Sequence, residues 1–228
     1  MDAKRKVSAT FIIVLLMFSA MASYTILTAK TPTPKIRVAC VGDSITQGSG
    51  YPSKLQELLG INYTVGNFGV SGSTVSLNSS LPYMKQAAFL NAENFNPDIV
   101  LIMLGTNDAN SEIAYNEDNF EADYTQLVLS FEGLASTPQV WVLKSPPIFS
   151  VDSNYSNTYL TSTIFPQIDE LTTQMNLPTM NMYSVLENHS EYFFDGVHPN
   201  TDGANLIASN IYNSITSPDY LASDGFYW

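Results

Sequence analysis

Five short runs of apolar or β-branched residues, Ile36–Val41, Tyr63–Asn67, Ile99–Leu104, Val140–Leu143 and Thr179–Asn181, alternate along this chain with segments of helical spacing. Those segments lie near Pro52–Leu59, Tyr83–Asn91, Phe120–Leu134, Tyr159–Met175 and Asp202–Ile215. A short, wholly apolar run reads as a strand buried on both faces, and a helix after each strand returns the chain for a parallel neighbour. The alternation therefore predicts an α/β fold, a three-layer sandwich with a five-stranded parallel sheet between helices. The chain carries no repeat of solenoid length, which removes the repeat architectures. In open parallel sheets ligands bind beyond the carboxyl ends of the strands, so the loops that leave those ends are where chemistry is expected.

The organisation is one folded domain behind an address. Lys4-Arg5-Lys6 precedes a charge-free stretch from Val7 to Ala29 with a strongly apolar centre at Phe11–Phe18, the pattern of an export signal. Ala20-Met21-Ala22 provides small residues for cleavage before Ser23, while the same stretch is long enough to span a bilayer uncleaved. Residues 1–22 are thus read as a signal peptide or N-terminal membrane anchor, residues 23–34 as an extended linker through Thr31-Pro32-Thr33-Pro34, and residues 35–228 as the domain. The protein is expected to be exported, either secreted or tethered to the membrane by that segment.

Charge narrows the partners. The chain has 9 basic and 21 acidic residues, net −12, and beyond position 85 its only basic residue is Lys144. Loss of the leader would remove Lys4, Arg5, Lys6 and Asp2, leaving 6 basic and 20 acidic residues. Neutralising phosphates requires clustered Lys and Arg, and the domain has no such cluster, so nucleic acid and anionic lipid surfaces are disfavoured as partners. The single cysteine, Cys40, lies within an apolar run and reads as a packed core residue, which excludes an intrachain disulfide or a thiolate metal cluster. The acidic stretch Glu117–Asp123 lacks the spacing and glycine of a calcium loop and reads as a solvated helix start. Asn62, Asn78, Asn154 and Asn188 fit the glycosylation sequon, a weak signal in a chain so rich in Asn, Ser and Thr.

The first strand-end loop is Gly42-Asp43-Ser44-Ile45-Thr46-Gln47-Gly48. Its glycine spacing, and Ser49 where a Walker A motif places lysine, exclude a phosphate loop. Gly66, Gly69 and Gly72 likewise fail the dinucleotide pattern. The second loop, Asn67–Ser73, contains glycines that let a backbone N–H approach a ligand. The third strand ends in Gly105-Thr106-Asn107-Asp108, and Asp195-Gly196-Val197-His198-Pro199 precedes the last helix. Together these blocks offer the parts of a nucleophilic hydrolase: a serine, a base, a carboxylate to fix the base's tautomer, and donors for an oxyanion.

In their order and content the blocks Gly42-Asp43-Ser44, Asn67–Gly72, Gly105-Thr106-Asn107-Asp108 and Asp195-x-x-His198 resemble the SGNH (GDSL) hydrolase family. Tyr51-Pro52 after the serine, Pro97-Asp98-Ile99-Val100 and Gly196-Val197-His198-Pro199-Asn200 look like its small carbohydrate O-acetylesterases, including sialate O-acetylesterase-like proteins. The resemblance implies a flavodoxin-like SGNH hydrolase fold and a catalytic triad of Ser44 as nucleophile, His198 as general base and Asp195 as its carboxylate. It implies an oxyanion hole from the backbone N–H groups of Ser44 and Gly72 and the side-chain amide of Asn107, and it calls for no cofactor and no metal. Asp43 and Asp108 are expected to hold their loops through backbone N–H groups, and His189 to stand outside the chemistry. Tyr83, Phe149 and Tyr155 are expected in the core or at a pocket rim. The implied reaction is hydrolysis of a short acyl ester, acetyl above all, on a carbohydrate or other small molecule through an acyl-enzyme. Two rivals remain open at this point: a lysophospholipase or thioesterase acting on lipid acyl esters, and a non-catalytic glycan-binding pseudoenzyme. The loops Ser73–Tyr83 and Ser145–Tyr159 are where substrate specificity is expected.

Overall fold

The computed structural model describes residues 34–112, 119–150 and 154–217. The leader, nearly all of the linker, and part of the Glu117–Asp123 stretch lie outside these residues. Five parallel strands form one sheet: β1 (Ile36–Gly42), β2 (Tyr63–Gly69), β3 (Ile99–Met103), β4 (Gln139–Lys144) and β5 (Thr179–Asn181). Their order across the sheet is β2-β1-β3-β4-β5. All four pairings are parallel, with Cys40 beside Asn67 on one side and Leu101 on the other. The three-layer sandwich expected from the alternation is what the structure contains.

The central strand β3 is apolar throughout, and β1 and β4 nearly so, because both faces of the sheet are covered there, while the outer strands β2 and β5 carry polar residues such as Asn67 and Thr179. Ala39, Val41, Val100, Ile102, Val140 and Val142 point to one face and pack against Phe89, Phe120, Leu127, Phe131, Ile168 and Leu171. The side chains of alternate residues, Val38, Cys40, Leu101, Met103, Trp141 and Leu143, point to the other face and meet Tyr51, Leu55, Leu186, Ile207 and Ile211. The first set of partners comes from helices α3 (Ala87–Asn94), α4 (Phe120–Glu132) and α5 (Phe165–Gln174). The second comes from α2 (Tyr51–Leu59), α6 (Met182–Leu186) and α7 (Thr201–Ile215). Cys40 is fully buried, and desolvation pushes its thiol up to about 12, so it is a packing residue as expected.

Two helices differ from their sequence reading. Tyr83–Asn91 is not one helix: a 3₁₀ turn at Tyr83–Lys85 is followed by extended backbone at Gln86, and the α-helix starts at Ala87. The Tyr159–Met175 helix begins earlier, at Asn157, and widens into a π-turn over Leu160–Ile164, where the Phe165 N–H bonds to the Leu160 carbonyl. Pro166, which has no N–H to give, follows directly. A five-residue helix, α1 (Ser44–Gly48), follows β1 without any sequence period long enough to announce it. Because β1 lies between β2 and β3, the chain leaves it in one direction and returns on its other side. That reversal opens a crevice at the carboxyl ends of β1 and β3, from which Ser44 and Asn107 emerge.

Candidate active site

Ser44 is the first residue of α1, and its own backbone N–H has no intrahelical acceptor at that position. The preceding Asp43 caps the helix, its Oδ1 accepting the Ile45 N–H at 2.9 Å. Glycines let the strand ends close in on this turn: a Cβ on Gly69 would lie 2.8 Å from the Asp43 carbonyl oxygen. Around the next loop, the Val70 N–H donates to the Gly42 carbonyl at 2.9 Å and the Ser71 N–H to Gln47 Oε1 at 3.1 Å. Gly72 follows at φ +79°, the left-handed region that only glycine enters without strain. The turn carrying Gly72 is therefore strapped to the helix that begins with Ser44.

The C-terminal block supplies the partner. His198 Nε2 lies 2.9 Å from Ser44 Oγ, and His198 Nδ1 lies 2.7 Å from Asp195 Oδ2. Asp195 Oδ1 accepts the backbone N–H groups of Val197 at 2.9 Å and His198 at 2.8 Å. Burial acts to raise the Asp195 carboxyl, but the His198 backbone and ring N–H groups and the Val197 N–H outweigh it and hold it at about 2. An ionised carboxylate only accepts, so Nδ1 carries the imidazole proton and Nε2 is left to accept one from Ser44. The tight turn rests on Gly196 at φ +80°, whose carbonyl accepts the Phe149 N–H at 2.6 Å. A Cβ there would come within 2.9 Å of Ser150 Cα. Asn200 then caps α7 through the Asp202 N–H. The side chains of His198 and Asp195 are 37% and 56% exposed, so the histidine–carboxylate pair faces solvent.

Asn107 enters from the end of β3, fully buried, and its amide group is fixed from three sides. Nδ2 donates to the Ser73 carbonyl at 2.9 Å and more weakly to Asp43 Oδ2 at 3.3 Å, while Oδ1 accepts the Tyr155 hydroxyl at 3.0 Å. The expected oxyanion donor thus adjoins the serine turn through its long contact with Asp43. Asp43 and Asp108 do hold loops, as their positions suggested. Asp108 accepts the N–H groups of Val75 at 3.0 Å and Ser76 at 2.9 Å, which joins the third strand end to the loop after Gly72. Desolvation dominates at Asp43, raising it to about 7 against the opposing pull of the Ile45 N–H and His198. His189 stands apart, paired with Glu191 at 3.0 Å and stacked on Tyr192. Tyr83 is fully buried, with its hydroxyl on the Phe68 carbonyl, and Phe149 packs edge-on against Phe193. Tyr155 is half-buried, in keeping with its expected place in the core or at a rim, but its contact with Asn107 is one the sequence did not disclose.

Residues 40–206 match the model of the GDSL-like lipase/acylhydrolase family. The chain belongs to this family. An acetylxylan esterase of Xylanibacter ruminicola is 32% identical over 213 residues, 81% of this chain and 44% of that protein, so the chain spans less than half the length of this relative. Among solved structures, a carbohydrate acetylesterase from Sinorhizobium meliloti superposes with a TM-score of 0.65 at 19% identity, covering 80% of this chain and 99% of that one. An acetyl xylan esterase gives 0.62 at 21% identity over 79% of this chain and 100% of that one. The aryl esterase of M. smegmatis gives 0.64 at 19% identity, over 80% and 99%. These superpositions establish the GDSL-family fold, a parallel five-stranded sheet with helices on both faces.

Proposed function

We propose that this protein is an exported serine esterase that removes a short acyl group, acetyl above all, from a neutral carbohydrate. The observation that carries the reading is the hydrogen-bonded chain Ser44–His198–Asp195 at the carboxyl ends of the strands, where the sheet order reverses. As Ser44 Oγ attacks the ester carbonyl, its proton passes to His198 Nε2, and Asp195 stabilises the imidazolium that results. The carbonyl oxygen takes up negative charge and is met by the N–H groups of Ser44 and Gly72 and by Asn107 Nδ2. Collapse breaks the bond to the sugar oxygen, which leaves with the proton from His198, and acetyl remains on Ser44. Water then gives a proton to His198 and attacks the acetyl carbonyl, and the proton returns to Ser44 as acetate departs.

The relatives named for acetylxylan and carbohydrate acetylesters support the substrate class. So does an acidic surface, which repels anionic lipid headgroups, and an open triad suits an ester displayed on a polysaccharide. The basic triplet and apolar stretch at the N-terminus support an extracytoplasmic place of work, free or tethered. An acyl series on one aryl alcohol tests the reading. Acetyl is expected to exceed butyryl, with octanoyl nearly inert. An enzyme that buries a lipid tail would instead gain up to ~0.8 kcal/mol per methylene, so a steady rise in kcat/KM from acetyl to octanoyl would overturn the short-acyl assignment.

A further inference from the structure

Tyr155 reaches Asn107 from the loop after β4, and the backbone around it is held on both sides. The Ser111 N–H donates to the Asn154 carbonyl at 3.1 Å, and the Ser156 N–H donates to the Ala109 carbonyl at 2.9 Å. Asn110 and Tyr155 form the antiparallel bridge between these bonds. Ser156 also caps the following helix, its hydroxyl accepting the Tyr159 N–H at 3.1 Å. A tyrosine held in this way points its hydroxyl with little freedom, and that hydroxyl donates to Asn107 Oδ1 at 3.0 Å while hydrogen-bonding with the Asn110 side chain. The orientation of the Asn107 amide follows from its neighbours. The Ser73 carbonyl can only accept, so it takes the nitrogen end and leaves the oxygen end to the phenol.

We propose that Tyr155 is a positioning residue for the oxyanion hole: its hydroxyl anchors the oxygen end of the Asn107 amide, whose nitrogen the Ser73 carbonyl already holds, and polarises it. The proposal rests on the reading of Asn107 as an oxyanion donor. Donation to an amide oxygen draws charge from the nitrogen and strengthens its N–H groups as donors, an effect that grows along a chain of hydrogen bonds in a buried setting. With Ser73 holding one N–H, the other is free to leave its 3.3 Å contact with Asp43 for a developing oxyanion. Without the phenol, the amide loses the only donor at its oxygen among the described residues, and the Ser73 carbonyl and the long Asp43 contact are left to hold it by its nitrogen alone.

The test is a double-mutant cycle of Tyr155→Phe, Asn107→Ala and the pair, with kcat and KM measured separately on p-nitrophenyl acetate. Tyr155→Phe keeps the ring and removes only the hydroxyl. It is expected to lower kcat roughly 10-fold, a fraction of the ~10²–10³-fold lost with an oxyanion donor itself, with KM nearly unchanged. In the Asn107→Ala background the same change is expected to have no further effect. A small alkylboronic acid, whose tetrahedral adduct on Ser44 presents an oxygen to the same donors, should bind Tyr155→Phe more weakly by a similar factor. That measurement decides the matter even where Asn107 proves indispensable to folding. An undiminished kcat in Tyr155→Phe, a full loss repeated without Asn107, or an effect confined to KM with boronate affinity intact would overturn the proposal. Wild-type turnover in Asn107→Ala would instead strike the oxyanion reading on which it rests.

Discussion

Asp43 stands next to the nucleophile position and is itself a buried carboxyl, raised to about 7 chiefly by desolvation. In the unfolded chain it titrates at an ordinary carboxylate value, so between about pH 4 and pH 7 the folded state holds a proton that the unfolded state has released. Stability from this group is therefore present below about pH 4 and is lost as pH rises through about 7, at no more than ~1.4 kcal/mol per pH unit. Chemical denaturation across that window should show a steeper decline in wild type than in Asp43→Asn, where the buried Asp108 carboxyl, also raised by desolvation, still contributes. The new amide would set a donor against Asn107 Nδ2 at every pH, so the comparison of slopes is unaffected by that clash. The two histidines divide as sharply. Replacing His198 with alanine should lower kcat by ~10⁶-fold, as loss of the base does in serine hydrolases, while His189→Ala should leave turnover at wild-type level. A steady-state assay of both variants checks this, and the reverse pattern would reassign the base.

At the scale of elements, the site depends on how closely β2 is pressed against α1. Gly69 meets the backbone of Asp43 and Gln47, neither of which moves without the helix, so Gly69→Ala should shift α1 and with it Ser44. Thermal denaturation should report a loss of ~1–3 kcal/mol, and kcat should fall beyond what the folded fraction explains. The central strands were legible because they are nearly solid apolar runs, and the more polar β2 and the three-residue β5 because they fit the alternation with helices. The 3₁₀ turn before α3 was not, because the turn at Tyr83–Lys85 has helical composition and only the extended Gln86 separates the two. Ser44, Asp195 and His198, which hydrogen-bond in sequence, lie in short blocks where the family resemblance had singled them out, since each sits in a local turn that its own neighbours define. Tyr155 could not be singled out in this way. Its position depends on the pairing of 154–156 with 109–111, a tertiary contact between backbone groups that leaves no period or motif. The one local signal was Ser156, an N-cap that fixes where the helix starts and so keeps the preceding tyrosine outside it.

For the whole molecule, the fold brings Ser44 to a place where separated segments meet, in a chain whose net charge of −12 disfavours anionic partners. Many serines in this chain lie in loops or helix caps, but only Ser44 has a histidine nitrogen within hydrogen-bond reach among the described residues. The most direct measurement is to react the intact protein with a fluorophosphonate and map the adduct by peptide mass spectrometry. A single adduct on the peptide carrying Ser44 is predicted, absent in Ser44→Ala and greatly slowed in His198→Ala, with all three proteins equally folded by circular dichroism. Labelling at another serine, or undiminished labelling of Ser44 without His198, would contradict the account.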